Sequence, residues 1–205
     1  MALRILITGG FGFVGGRLAV HLNQAGHQII LGSRSLKKIP SWLQKAEVTE
    51  VLWHSDNSLE SICKNIDIII QAAGMNANDS AKDPIGALHS NGVATLRLLT
   101  AACRAGVKRF VYLSTAHIYA DPLVGVISEN TCPKNLHPYA TSHFAGEQIS
   151  PLWQNEIGWG AGGRSPIPAS AYQQYPIIKY CENKASVPKR KNKSLVKFVR
   201  KIYEL

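Results

Sequence analysis

The residues whose types and spacing could first of all do chemistry are Thr8-Gly9-Gly10-Phe11-Gly12-Phe13-Val14-Gly15, and that chemistry is holding a pyrophosphate. Glycines permit a tight turn and let the backbone approach a ligand closely. The stretch lies between an apolar run, Leu3-Arg4-Ile5-Leu6-Ile7, and a helix-like segment, Gly16-Arg17-Leu18-Ala19-Val20-His21-Leu22. Strand, glycine turn and helix in that order bring free N–H groups and the positive end of a helix dipole to one point. A lone glycine pattern is weak, so the rest of the chain has to supply the other parts of a dinucleotide site. The seven histidines show no HxxxH or HxH spacing, and Cys63, Cys103, Cys132 and Cys181 form no CxxC pair, so no metal centre is expected.

The elements that must position this loop can be read along the chain. Leu3–Ile7 is continuously apolar, as a strand buried on both faces should be. A helix from about Gly12 to Ala25 stops at Gly26, and a second strand covers His27–Leu31 before Gly32-Ser33-Arg34. A third strand is expected at about Glu47–Trp53, a short crossover helix at Ser58–Asn65 and a fourth strand at Asp67–Gln71. After a polar loop, Pro84–Ala105 carries the longest helical pattern, and Lys108–Ser114 reads as the fifth strand. Strands alternating with helices at this spacing predict an α/β fold, a Rossmann-type doubly wound parallel sheet with its ligand at the carboxyl ends of the strands.

Composition divides the chain in two. Residues 1–149 hold 13 Lys and Arg against 10 Asp and Glu, whereas 150–205 hold 10 against 3, so most of the net charge of +10 belongs to the end of the chain. Residues 1–149 are expected to form the dinucleotide-binding domain. Residues 150–205 are expected to be a divergent, partly disordered basic tail in place of a full substrate lobe, with one short helix at Ser194–Tyr203. The basic run Lys189-Arg190-Lys191-Asn192-Lys193 lacks the interleaved aromatics of a base-stacking surface, so nucleic acid is not an expected partner. No apolar run approaches the roughly 18 residues of a membrane span, no secretory pattern opens the chain, and the scattered cysteines suit reduced thiols; a soluble cytoplasmic protein is expected.

With these parts in place the chain resembles the extended short-chain dehydrogenase/reductase superfamily, the NAD(P)-dependent sugar-nucleotide epimerases, dehydratases and reductases. The glycine loop matches that branch's TGxxGxxG pattern through Gly9, Gly12 and Gly15, with Phe13 and Val14 between the last two. Asp67–Gly74 resembles the fourth-strand motif, whose small turn, here Ala72-Ala73-Gly74, lies against the cofactor. Asn91 matches the helix asparagine that supports the active site. Val111–Tyr119 looks like the strand-five motif and Pro138–His143 like the start of the catalytic YxxxK helix. Five motifs in order, covering roughly residues 1–149, make the likeness far more specific than the loop alone.

The resemblance implies hydride exchange between a sugar carbon of a nucleotide sugar and nicotinamide, with proton transfer at the oxygen. Tyr139 would be the acid/base, Thr115 the hydroxyl that bonds the substrate oxygen, and His143 stands where the family has lysine. A tyrosine at its ordinary pKa near 10 is a poor base at neutral pH. The family remedies this with the lysine's positive charge; a neutral imidazole is shorter and supplies little of it. Activity is therefore expected to be weak or lost, with cofactor binding retained. After the second strand, Ser33 and Arg34 stand where an acidic residue would hold an adenosine-ribose 2′-hydroxyl; a cation without that acid favours a 2′-phosphate, hence NADP over NAD. Asp56 and Asn57 resemble the residues near the adenine, and a helix N-cap is an equal alternative for either. The resemblance leaves a homodimer open, since this branch often pairs through helices like 84–105 and 138–149.

Past Gln148 the expected apolar run of a next strand is lacking, so the substrate lobe reads as missing or replaced. A truncated product with a shifted frame after about residue 150 is one account, and translating the other frames would test it. Two readings follow: an epimerase/dehydratase-family enzyme, or a non-catalytic NAD(P)-binding sensor or partner subunit.

Overall fold

The structure, a computed structural model, describes residues 2–122, 131–157 and 178–180. Five strands, β1 (Arg4–Thr8), β2 (Gln28–Ser33), β3 (Glu47–Glu50), β4 (Ile68–Gln71) and β5 (Arg109–Thr115), are joined by a short sixth, β6 (Ile178–Tyr180). All pairings are parallel, and the order is β3-β2-β1-β4-β5-β6, the doubly wound arrangement expected.

The strands show why a continuously apolar run suits such a sheet. Ile5 and Ile7 of β1, Ile29 and Leu31 of β2, Ile68 and Ile70 of β4 and Val111 of β5 point into one core with Leu18, Ala19 and Leu22 of helix α1 (Phe13–Gln24). Their neighbours Leu6, Ile30, Ile69, Phe110 and Tyr112 point into the other. There they meet Leu59 and Cys63 of helix α2 (Asp56–Cys63) and Leu98, Leu99 and Ala102 of helix α5 (Ala94–Arg104). Each fully buried Leu or Ile contributes on the order of 1.5–3 kcal/mol, so both faces of the sheet are held without any polar pairing. Helix α1 and helix α5 end at Gly26 and Gly106, both at positive φ.

Three features depart from the sequence expectations. The polar loop after β4 contains helix α3 (Ala77–Lys82), capped by the Asn76 side chain, which accepts from Asp79 N. The long helix at 84–105 is interrupted. Helix α4 (Pro84–Ala87) passes into a wide π-type turn over Leu88–Val93, where Ala94 N donates to His89 O, before α5 begins. Nothing in the helical periodicity marks that turn, within which Asn91 O accepts from both Thr95 Oγ1 (2.8 Å) and Tyr112 Oη (3.2 Å).

Finally, helix α6 (Pro138–Ile157) continues past residue 149, and β6 pairs with Leu113–Thr115 although no apolar run announces it. A three-residue strand completes a parallel ladder with too few residues to leave a pattern. The expected helix at Ser194–Tyr203 and the basic run at 189–193 lie outside the described residues. No helix among the described residues is long and apolar enough to cross a membrane.

Candidate functional site

The glycine loop closes β1 onto α1. Gly9 adopts φ +65°, and a Cβ there would fall 2.9 Å from the backbone of Ala72 and Ala73. Gly12 N donates to Gly9 O (2.8 Å), and a Cβ on Gly15 would overlap Gly9 O. Three glycines are thus needed where the loop, the helix start and the turn after β4 touch. Helix α1 has no side-chain cap and no acid in its first turn, whereas α2, α3 and α4 are capped by Ser55, Asn76 and Asp83. Its N-terminus, at Phe13, Val14 and Gly15, is the one of these four without such a cap, an arrangement suited to an anion. Phe13 is exposed and lies under the Arg17 guanidinium, 3.5 Å from its ring centroid.

Beside the loop a cleft of about 970 Å³ opens at the carboxyl ends of β1, β2 and β4. Gly9, Gly12, Ser33, Arg34, Ala72, Ala73 and Gly74 line it, which brings seven of the thirteen expected cofactor residues together. Phe13, Val14, Gly15, Asp56, Asn57 and Asn91 are not among its lining residues. Asp56 opens α2 and faces Arg97 (Oδ1 to Nε 3.6 Å); at that end of the cleft the wall is Trp53 and His54. Arg34, Lys37 and Arg97 are the cations on the wall. Lys37 Nζ stands 4.9 Å from the Phe11 ring centroid, and Arg97 also donates to Trp53 O (3.2 Å). The single carboxylate on it, Asp79, accepts from the Asn76 side chain (2.7 Å).

Under the cleft runs a buried polar network, of which sequence motifs singled out Asn91 alone. Thr8 Oγ1 donates to Gln71 Oε1 (2.5 Å) and accepts from Ala72 N (3.2 Å) and Ala73 N (3.3 Å). Gln71 Nε2 lies within reach of Ala73 O and Thr95 Oγ1 (both 3.4 Å). Asn91 is fully buried: Oδ1 accepts from Met75 N (2.7 Å) and Nδ2 donates to Ser142 Oγ (2.9 Å). Asn91 therefore acts from beneath, tying the segment after the Ala72-Ala73-Gly74 turn to α6. For Thr8 and Gln71 the available signal was a polar residue closing an otherwise apolar strand.

Helix α6 carries the expected catalytic pair. Tyr139 lies in its first turn, its N–H donating to His137 Nδ1 (3.2 Å), and its ring meets the His143 ring edge-on at 4.7 Å between centroids. His143 is 7% exposed, and burial pushes its pKa down to about 4, so the imidazole is neutral at pH 7. Its Nδ1 lies 3.1 Å from Tyr112 Oη, and burial pushes that phenol above its ordinary range. Thr115, at the end of β5, is buried, and its Oγ1 accepts from His117 N (3.2 Å), leaving its hydroxyl proton to donate. One turn beyond His143, the buried Glu147 accepts from Ser114 Oγ (2.8 Å). The cleft can hold a phosphate-bearing ligand along the loop; Thr115, Tyr139 and His143 are not among its lining residues, and the residue a turn after Tyr139 is a histidine and not a lysine.

Comparison with known proteins bears on this geometry. The model of the NAD dependent epimerase/dehydratase family matches residues 5–167. The chain is 28% identical over 159 residues to the UDP-glucose 4-epimerase of Haemophilus influenzae and 31% identical over 159 residues to that of Neisseria meningitidis serogroup C. These matches take in 72% and 71% of the chain but 47% of each relative, so the chain spans about half the length of these curated relatives. Among solved structures, MoeE5 in complex with UDP-glucose and NAD is 29% identical with a TM-score of 0.62, over 73% of this chain and 48% of that one. The UDP-glucose 4-epimerase of Thermotoga maritima shares the fold at a TM-score of 0.67 and 23% identity, over 76% and 52%.

Proposed function

Because the chain belongs to the NAD dependent epimerase/dehydratase family, we propose that it binds a nicotinamide dinucleotide in the cleft beside the glycine loop and retains little or none of the family's hydride exchange. The observation that carries the binding half is the convergence of Gly9, Gly12 and the Ala72-Ala73-Gly74 turn beside a helix N-terminus without a side-chain cap. Those residues fit the group. A Cβ on Gly12 would meet only Gly9 O within 4 Å, so the other side of the loop is open to a ligand. Gly9, Gly12 and the first turn of α1 would hold the pyrophosphate, and Ser33 and Arg34 the adenosine ribose. Arg34, with Lys37 on the same wall, favours a 2′-phosphate and hence NADP, although the solved relative named above carries NAD.

When bound, the nicotinamide supplies a hydride acceptor or donor. The chain's own contributions to a reaction on a nucleotide sugar would be a proton held at Tyr139 Oη and a hydrogen bond from the Thr115 hydroxyl to the substrate oxygen. His143 would contribute no charge, because a buried neutral imidazole cannot stabilise a phenolate as an ammonium does. This favours the second reading, a non-catalytic NAD(P)-binding sensor or partner subunit. Asp56 and Asn57 would support the adenine end through Arg97 rather than by direct contact.

The test is His143→Lys, assayed for turnover of bound NADP(H) with a panel of nucleotide sugars. For a lysine charge taken as roughly 5.5 Å from the tyrosine oxygen, an effective dielectric near 20 favours the phenolate by about 3 kcal/mol, roughly a hundredfold in its population. Turnover should rise by one to two orders of magnitude. Wild-type turnover already at the level of His143→Lys would reject the weakened-enzyme reading. Two copies pairing through α4–α5 and α6 is the accompanying proposal, supported by the exposure of Ile85 and Leu88 on that face and tested by light scattering.

A further inference from the structure

The His143 imidazole, one turn after Tyr139, packs against a residue outside the expected site, Tyr112. The imidazole is 7% exposed and its two nitrogens lie in different surroundings. Nδ1 faces Tyr112 Oη at 3.1 Å. Nε2 has no hydrogen-bond partner among the described residues, and its edge lies against Gly74, on the wall of the cleft. A Cβ at residue 74 would stand 3.6 Å from Nε2, ordinary van der Waals contact, so the ring edge lies beside the Gly74 backbone.

Tyr112 Oη has one proton and three acceptors within reach, His143 Nδ1, Asn91 O and the more distant His143 O (3.4 Å), and two arrangements use the closer pair. In one, the phenol donates to Nδ1 and makes that single bond. In the other, Nδ1–H donates to the phenol oxygen while the phenol donates onward to Asn91 O at 3.2 Å. The second makes two hydrogen bonds in a buried place and uses the oxygen as both acceptor and donor, which satisfaction of buried polar groups favours. Gly146 makes it available: a Cβ there would fall 2.6 Å from Asn91 O and 2.7 Å from Tyr112 Oη.

We propose that Tyr112 is a positioning residue that holds His143 in its Nδ1–H tautomer, so that the Nε2 lone pair is offered at Gly74 to a hydroxyl of the molecule in the cleft. The ligand chemistry is a hydroxyl donor, as on a ribose or a sugar ring. The proposal rests on the cofactor-binding reading for what occupies the cleft, but the tautomer does not depend on it. Burial keeps the ring uncharged at neutral pH, which is what leaves the lone pair free.

The test is a long-range ¹H–¹⁵N spectrum of the ligand-free, ¹⁵N-histidine-labelled full chain at pH 7, with His143→Gln to assign the signal. Nδ1 should resonate as a protonated, pyrrole-type nitrogen and Nε2 as a bare, pyridine-type one; in Tyr112→Phe the signals should move towards the Nε2–H form. A wild-type spectrum showing Nε2–H, or a Tyr112→Phe spectrum identical to wild type, overturns the proposal. Because the wild-type spectrum decides the tautomer by itself, a Tyr112→Phe chain that does not fold leaves the test intact. NADPH titration is read separately: no binding rejects the cofactor reading without touching the tautomer.

Discussion

Lowering the pH from 7.5 to 5 should destabilise this protein through His143. The folded-state pKa of His143 is about 4 because burial disfavours the charged ring, whereas the unfolded chain titrates near 6.5. Between these values the unfolded state binds the proton and the folded state does not. The stabilisation is therefore complete above pH 6.5 and is lost as pH falls towards 4. Integrating that difference gives a loss of about 2 kcal/mol from pH 7.5 to 5, a large share of a domain's ordinary margin. Burial is the cause of the shift, and the side chains whose rings meet the imidazole, Tyr112 and Tyr139, are phenols. Urea unfolding of wild type and His143→Gln at half-unit steps from pH 7.5 to 5 isolates the effect. His27, also held low, first by burial and then by the N-terminal charge, is common to both chains and cancels. Asp67, held low chiefly by its hydrogen bond from Lys108, titrates below this window. Wild type should lose about 2 kcal/mol relative to the variant; a difference that stays constant across the range would refute a buried neutral His143.

Two further outcomes test the rest of the site. Arg34→Ala should weaken NADPH binding by roughly tenfold, the loss of one charge-assisted bond of about 1.5 kcal/mol, and leave NADH nearly unchanged; fluorescence titration of both nucleotides checks it, and an unaltered preference removes Arg34 from the 2′-phosphate role. Thr8→Val keeps the side-chain volume but strips a hydroxyl that serves Gln71, Ala72 and Ala73, so it should cost about 2–3 kcal/mol in urea unfolding and weaken dinucleotide binding together.

The sheet was legible because its signal is one-dimensional. Runs such as Ile5–Ile7 and Ile68–Ile70 are apolar without interruption since alternate residues feed opposite cores, and the glycine loop follows directly after one of them. The cleft residues beside that loop were legible for the same reason. What stayed hidden depends on contacts between distant segments. The π-type turn at Leu88–Val93 reads as ordinary helix in the sequence, since its wider hydrogen bonding leaves no mark on the apolar period. Trp53 and His54, rather than Asp56 and Asn57, reach the cleft because β3 ends at Glu50, three residues before its apolar pattern does. The strand at Ile178–Tyr180 is too short to show a period at all.

These contacts also show how binding and catalysis can separate in one chain. The floor of the cleft is held by neutral groups: Gly9 against Ala72, Thr8 against the turn, Asn91 between Met75 and Ser142. None of them needs a charge at residue 143 to be satisfied. A lysine in that pocket would have to keep an ammonium buried beside Tyr112, a cost that an enzyme bears because the phenolate of Tyr139 depends on it. Histidine removes the cost by going neutral, and Tyr112 satisfies its inner nitrogen. On the proposed reading, the exchange would leave the phosphate cradle unchanged and withdraw the positive charge from the tyrosine, so the substitution that keeps the dinucleotide site would be the one that disarms the proton transfer.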